Sequence, residues 1–206
     1  MLGFDGDVLY RIPALLIAIT VHEYAHAVTA DSLGDPTPKA VGRLTLNPLA
    51  HLDIFGTLML LFVGFGWAKP VGINPSYFRK PKEDLLKVSL AGPGANLFLA
   101  FLGTFLIAGM GKFEMLTGGV YTFLMWTQLY NVWFAFFNLL PLPPLDGSKI
   151  LMSLLPPRQA YEFSKIEPYS FYILIALLLT GAVGIIISPL AGAFLKAASL
   201  LVSIFF

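Results

Sequence analysis

Long apolar runs separated by short polar stretches dominate this chain. A helix needs about 20 apolar residues to cross about 30 Å of hydrocarbon. The first such run extends from about Val8 to about Leu33, with Pro13 read as a tolerated early-turn proline. The next, about Leu52 to Trp67, is short and holds Asp53, Gly56, Gly64 and Gly66. As a helix it would cover only about 24 Å. Residues 68–75 (AKPVGINP) carry prolines and β-branched residues and read as an extended or edge-strand segment. Three better spans follow, at about Val88–Met110, Val120–Leu140 and Phe171–Ile187. A last apolar segment, Leu190–Phe206, begins after Ser188-Pro189, which reads as a helix break. The pattern predicts an all-α polytopic membrane protein. It has about five to six membrane segments and a re-entrant, β-like element near 52–76.

Composition agrees. The chain has 206 residues, of which 57% are hydrophobic and 12% charged. Soluble domains carry about 25% charged residues, and a sphere of this size needs far more polar surface than that supply provides. Mean hydropathy is +0.77. Cysteine is absent, so thiolate nucleophiles and cysteine zinc sites are excluded, and any metal must use His, Asp or Glu. A net charge of +1 implies no nucleic-acid partner. The first run lacks a basic region before it and contains His22, Glu23 and His26, unlike a cleavable signal peptide. One membrane-embedded domain, 1–206, is expected. Its core lies at about 8–150 and a helical tail at 168–206.

Basic loops set orientation. Residues 78–87 hold Arg79, Lys80, Lys82 and Lys87, and the 141–169 connection holds Lys149, Arg158 and Lys165. Both are expected on the cytoplasmic side. The 111–119 loop holds only Lys112 and fits outside. Lys39 and Arg43 make 34–50 mildly cytoplasmic, so 52–67 must dip in and return, or lie in the interface. Such backbone is tolerated at membrane depth only against protein or a water-filled cavity.

Residues 22–26 read His-Glu-Tyr-Ala-His. On a helix, i and i+4 share a face, so His22 and His26 can meet one metal ion. Glu23 stands beside them as general base for the attacking water. Three histidines occur in the whole chain and two of them fall in this motif. Chance placement gives on the order of 0.001 matches. Ionisable residues inside a membrane are costly and usually functional.

Catalytic zinc takes three protein ligands and keeps a fourth position open. Position 32 is Ser32, which excludes a third His six residues after the second. Glu83 lies among solvated charges in the basic loop. His51, Asp53, Asp146, Asp31 and Asp35 remain. Asp146 stands out because it ends Asn138-Leu-Leu-Pro-Leu-Pro-Pro-Leu-Asp146-Gly147, just after a strong span. The prolines end the helix there and leave backbone groups that need a cavity. The bland alternative is an Asp-Gly turn beyond the membrane. Asn138 offers an amide donor for a developing oxyanion. In Gly92-Pro93-Gly94-Ala95-Asn96, small residues permit close helix approach, and Asn96 can bond a neighbouring span or position the ligand helix. His51 reads as a structural hydrogen-bonder, or else as a gate or substrate contact.

Three blocks, HEYAH at 22–26, GPGAN at 92–96 and NLLPLPPLDG at 138–147, resemble the site-2 protease family of intramembrane zinc metalloproteases, in its short form without a PDZ domain. The resemblance spans about residues 10–150. It implies one zinc ion per chain held by His22, His26 and Asp146, with Glu23 as general base. It also implies that Asn138 and the segment containing Pro141 and Pro143 hold substrate or stabilise the oxyanion. The implied substrates are transmembrane segments of membrane proteins, cut within the bilayer and often in regulated signalling. A multi-pass plasma-membrane protein is expected, with its active site nearer the cytoplasm.

Two rivals stand beside this reading. One is an HExxH protease using Glu83, Glu162 or Glu167 as third ligand. The other is a divalent-metal transporter with His22, Glu23 and His26 as its ion site. For a protease, a substrate helix hides its amides in its own hydrogen bonds. The 68–75 stretch or the Pro-rich run could pair with an unwound substrate by strand addition.

Overall fold

A computed structural model describes residues 6–56 and 67–206. Most of the expected re-entrant stretch, 57–66, lies outside the described residues. Eight α-helices occur among the described residues: α1 (Val8–Ser32), α2 (Thr37–Ala40), α3 (Pro81–Lys112), α4 (Gly118–Asn138), α5 (Asp146–Leu154), α6 (Pro157–Ser164), α7 (Glu167–Leu179) and α8 (Ala182–Val202). Short 3-10 turns occupy Pro48–Ala50 and Pro75–Tyr77. No strand occurs among the described residues. Residues 67–74 are non-helical, and among the described residues of the expected β-like element the pairing is one antiparallel bridge, Leu52 to Ala68.

By length and composition, α1, α3 and α8 can cross a membrane. Helix α4 has 21 residues, but Thr122, Thr127, Gln128 and Asn131 dilute its apolar character. The three-helix core is α1, α3 and α4. Ala14, Ala18, Ala27 and Ala30 on α1 are fully buried, and side chains this small let helix axes approach closely. Large apolar side chains such as Phe98, Ile185 and Leu200 face outward, while His22, Asn96, Asn131 and Asp146 are buried. Apolar outside and polar inside suits a lipid surround.

Several boundaries differ from the sequence pattern. Helix α3 begins at Pro81 rather than Val88. Proline at N1 and the acidic pair Glu83 and Asp84 favour a helix start there, and Asp84 Oδ2 accepts from Lys80 N at 3.0 Å. Pro13 lies beyond the first turn of α1, inside the helix. The expected break at Ser188-Pro189 is not found, because α8 runs through Pro189. The break falls at Thr180–Gly181, dividing the expected Phe171–Ile187 span. Gly181 adopts φ +73°, which glycine supplies without steric cost. Membrane helices tolerate proline when neighbours satisfy the freed carbonyl, and α8 packs through Val183, Ile187 and Ala191 on Ala100 and Val132.

The core helices alternate in direction. Ala30, Phe78 and Val88 cluster at one end, joining the C-terminus of α1 to the start of α3. At the other end, Trp126 Nε1 of α4 donates to Asp7 Oδ2 at 3.3 Å, and Arg11 stacks over the Trp126 ring. The 34–50 and 78–87 loops therefore share one end.

Candidate metal centre

His22 and His26 project from one face of α1, as i and i+4 require. Asp146 meets them from the first residue of α5, 120 positions beyond His26. Asp146 Oδ2 lies 3.1 Å from His22 Nε2 and 2.9 Å from His26 Nε2. The two Nε2 atoms are 3.0 Å apart. All three residues are buried, and among the described residues they form the one group of this kind able to hold a metal ion.

Local sequence explains the placement. Pro141, Pro143 and Pro144 end α4 and turn the chain. Gly147 then lets α5 start against the end of α4, because a β-carbon there would collide with the carbonyls of Leu139 and Leu140. A carboxylate at a helix N-terminus is also favoured by the helix dipole. Lys149 Nζ sits 3.3 Å from Asp146 Oδ1, leaving Oδ2 toward the imidazoles.

The outer ring nitrogens are both engaged. His26 Nδ1 donates to Val88 O at 2.7 Å, and His22 Nδ1 faces Asn96 Oδ1 at 2.6 Å. A backbone carbonyl can only accept, so His26 Nδ1 carries the hydrogen and Nε2 offers a lone pair. Two neutral imidazole nitrogens and a carboxylate oxygen about 3 Å apart then present lone pairs to one another. A cation at their centre removes that repulsion. Two imidazoles and one carboxylate are also a donor set that zinc accepts. Ligand atoms of tetrahedral zinc stand about 3.4 Å apart, given bonds of about 2.0–2.2 Å. The observed spacing is a few tenths tighter, within reach of small side-chain rotations. The residues fit zinc.

Glu23 is buried, and its Oε2 accepts from the Val71 backbone N–H at 3.0 Å. The non-helical 67–74 segment thus lies against the expected general base. No side-chain signal marks a backbone donor, and sequence reasoning missed this contact. Asn96 lies beside His22, and Asn138 on the last turn of α4 donates from Nδ2 to Phe134 O at 2.9 Å. Pro143 is buried and Pro141 exposed. His51 is not part of the metal-capable cluster. It is fully buried, and its Nε2 lies 2.8 Å from Thr45 O. Glu83 and Glu162 are exposed and paired with Lys80 and Lys165 at 3.0 and 2.8 Å. Both are engaged away from the histidines.

Comparison with known proteins follows the same line. The model of Peptidase family M50 matches residues 107–181. The chain is 44% identical over 190 residues to YwhC of Bacillus subtilis (strain 168), a protein named among the zinc metalloproteases. That match covers 89% of this chain and 86% of YwhC. It is 31% identical over 188 residues to Rip2 of Mycobacterium tuberculosis (strain ATCC 25618 / H37Rv), named in the same way, covering 86% of this chain and 70% of Rip2. It is 27% identical over 157 residues to stage IV sporulation protein FB of Bacillus subtilis (strain 168), covering 72% of this chain and 51% of that protein. No solved structure gives a significant match.

Proposed function

Because this chain belongs to peptidase family M50, the site-2 type of intramembrane zinc metalloprotease, we propose that it hydrolyses a peptide bond of a transmembrane substrate at the cluster of His22, His26 and Asp146. The observation that carries this reading is the convergence of three ligand atoms from α1 and α5 within about hydrogen-bond distance of one another. His22 Nε2, His26 Nε2 and one Asp146 oxygen are the atoms that would hold the zinc ion. Zinc bound there would supply a Lewis acid for the scissile carbonyl and would lower the pKa of the attacking water.

Glu23 accepts a proton from that water and returns it to the leaving amine. Its carboxylate is oriented by the Val71 N–H. Asn138 uses one N–H of its amide on Phe134 O, and the second is the donor assigned to the substrate carbonyl. Pro141 and Pro143, between Asn138 and Asp146 in the chain, are assigned to substrate contact on the strength of the family resemblance.

The site lies nearer the end of α1 that packs on the basic 78–87 loop. At 1.5 Å per residue, His22 stands about 21 Å from the Val8 end and about 15 Å from the Ser32 end. With positive residues inside, that end is cytoplasmic, and water reaches the site from that side of the plasma membrane. Similarity to a sporulation protein supports a setting in regulated intramembrane proteolysis. The transporter reading finds no support, since the relatives are named as proteases.

The experiment is metal analysis of purified wild type and Asp146→Ala, with cleavage of a model transmembrane peptide by each. One zinc per wild-type chain with cleavage, and loss of both in the variant, is expected. Full zinc content and cleavage by Asp146→Ala would discard the assignment.

A further inference from the structure

Asn131 sits in the second half of α4, fully buried, and belongs to none of the three sequence blocks around the histidines and Asp146. A buried amide is costly unless its hydrogen bonds are made. Its bonds form a directed chain. Asn131 Nδ2 donates to Thr127 O at 2.8 Å, which leaves Oδ1 as an acceptor. Asn96 Nδ2 donates to that Oδ1 at 2.7 Å and to Ala18 O at 2.9 Å. Both N–H bonds of Asn96 are thus used, and its Oδ1 faces His22 Nδ1 at 2.6 Å. An amide oxygen only accepts, so His22 must carry its hydrogen on Nδ1. Its Nε2 lone pair then points toward Asp146 and His26.

We infer that Asn131 is a positioning residue: through Asn96 it fixes the tautomer and ring orientation of His22, so that Nε2 is presented as a metal ligand. The two carbonyls, Thr127 O and Ala18 O, anchor the polarity of the relay from α4 and α1. Without the Asn131 oxygen, one Asn96 N–H loses its acceptor. Ala18 O alone then holds the Asn96 amide, so the orientation that turns its NH2 group on His22 becomes more accessible. That orientation favours an Nδ1 lone pair and a hydrogen on Nε2, which opposes metal binding. Partners one step removed from a metal commonly change its affinity by about 10–100-fold.

Gln128 supplies the contrast. It lies on the same helix and donates to Thr104 Oγ1 of α3, also between helices, but outside the relay. A residue that merely joins helices should behave as Gln128 does.

The inference rests on the zinc reading above, and the test separates the two. Zinc affinity is measured by chelator competition on the full chain in detergent, for wild type, Asn131→Leu, Asn131→Asp and Gln128→Leu. Thermal midpoints of the metal-free proteins are recorded alongside. Asn131→Leu should bind zinc about 10–100-fold more weakly, while Gln128→Leu keeps wild-type affinity. Asn131→Asp should restore affinity to within a few-fold of wild type. In the neutral acid form that burial favours, one oxygen accepts from Asn96 and the hydroxyl donates to Thr127 O. If Asn131→Leu does not fold, Asn131→Ala takes its place. Wild-type affinity in that variant, or no recovery in Asn131→Asp, overturns the inference alone. No zinc in the wild type overturns the zinc reading and the inference with it.

Discussion

Gly92 of α3 faces the His26 ring so closely that a β-carbon there would collide with Nε2, with Cε1 of the same ring at 2.7 Å and with Cε1 of His22 at 2.8 Å. Contacts this short force the imidazoles to move, and His26 cannot rotate without giving up its bond to Val88 O. Gly92→Ala should therefore weaken zinc binding at least about 10-fold and destabilise the fold by about 1–3 kcal/mol. Gly94, two residues on, has nothing within 4 Å of its would-be β-carbon. Gly94→Ala should keep zinc binding and gain up to about 1 kcal/mol from better helix propensity. Zinc content and thermal unfolding of the pair decide it, and equal zinc affinity in both variants would show that the close approach is not what shapes the ligand face.

Glu23→Gln removes a base while keeping size and the ability to accept from Val71 N–H. Zinc content should remain at the wild-type level. Cleavage of a transmembrane peptide should fall about 10²–10⁴-fold, the range typical of a lost general base. Retained cleavage by the purified variant would reassign the base to another group.

The legible parts of the site share a property. His22, Glu23 and His26 sit within one helical turn, where spacing alone gives the shared face. Asp146 was visible because prolines break the chain beside it. Gly92 and Asn96 were visible as a small-residue block, although the collision with two imidazoles needed coordinates. Asn131 gave no signal, because in sequence it differs little from Gln128, and only tertiary contact separates them. Backbone donors such as Val71 N–H have no letter at all. The fold followed the same rule. Long apolar runs located α1, α3 and α4 to within a few residues, except the start of α3. The break at Gly181 was misplaced to Pro189 because proline is weak evidence of a helix end where neighbouring helices pack against it.

Asp146 and Glu83 offer a direct comparison between third-ligand readings. Asp146 Oδ2 stands at 2.9 Å from His26 Nε2, whereas Glu83 pairs with Lys80 on an exposed turn. Asp146→Ala should lose zinc at chelator concentrations that leave the wild type loaded, and should lose cleavage with it. Glu83→Ala removes one exposed pair, worth less than about 1 kcal/mol, and should match the wild type in both assays. Zinc loss in Glu83→Ala with retention in Asp146→Ala would invert the assignment.

Val71 supplies the remaining handle, because its contact with Glu23 is made by the backbone N–H, which an ordinary side-chain substitution leaves in place. Proline at this position removes the N–H that Glu23 Oε2 accepts. The preceding residue is already Pro70 and the segment is non-helical, so the added ring meets an extended path. A hydrogen bond to a charged group is worth about 1.5–3 kcal/mol, which converts to a loss of about 10–100-fold in turnover if the bond orients the base in the transition state. Val71 is not among the residues that would hold zinc, so metal content should be unchanged. The same variant bears on substrate pairing with 68–75, since a proline there also removes a donor that an unwound substrate strand would use. Val71→Ala, which keeps the N–H, is the control and should cleave normally. A fully active, zinc-loaded Val71→Pro protein would show that neither base orientation nor strand addition depends on this backbone group.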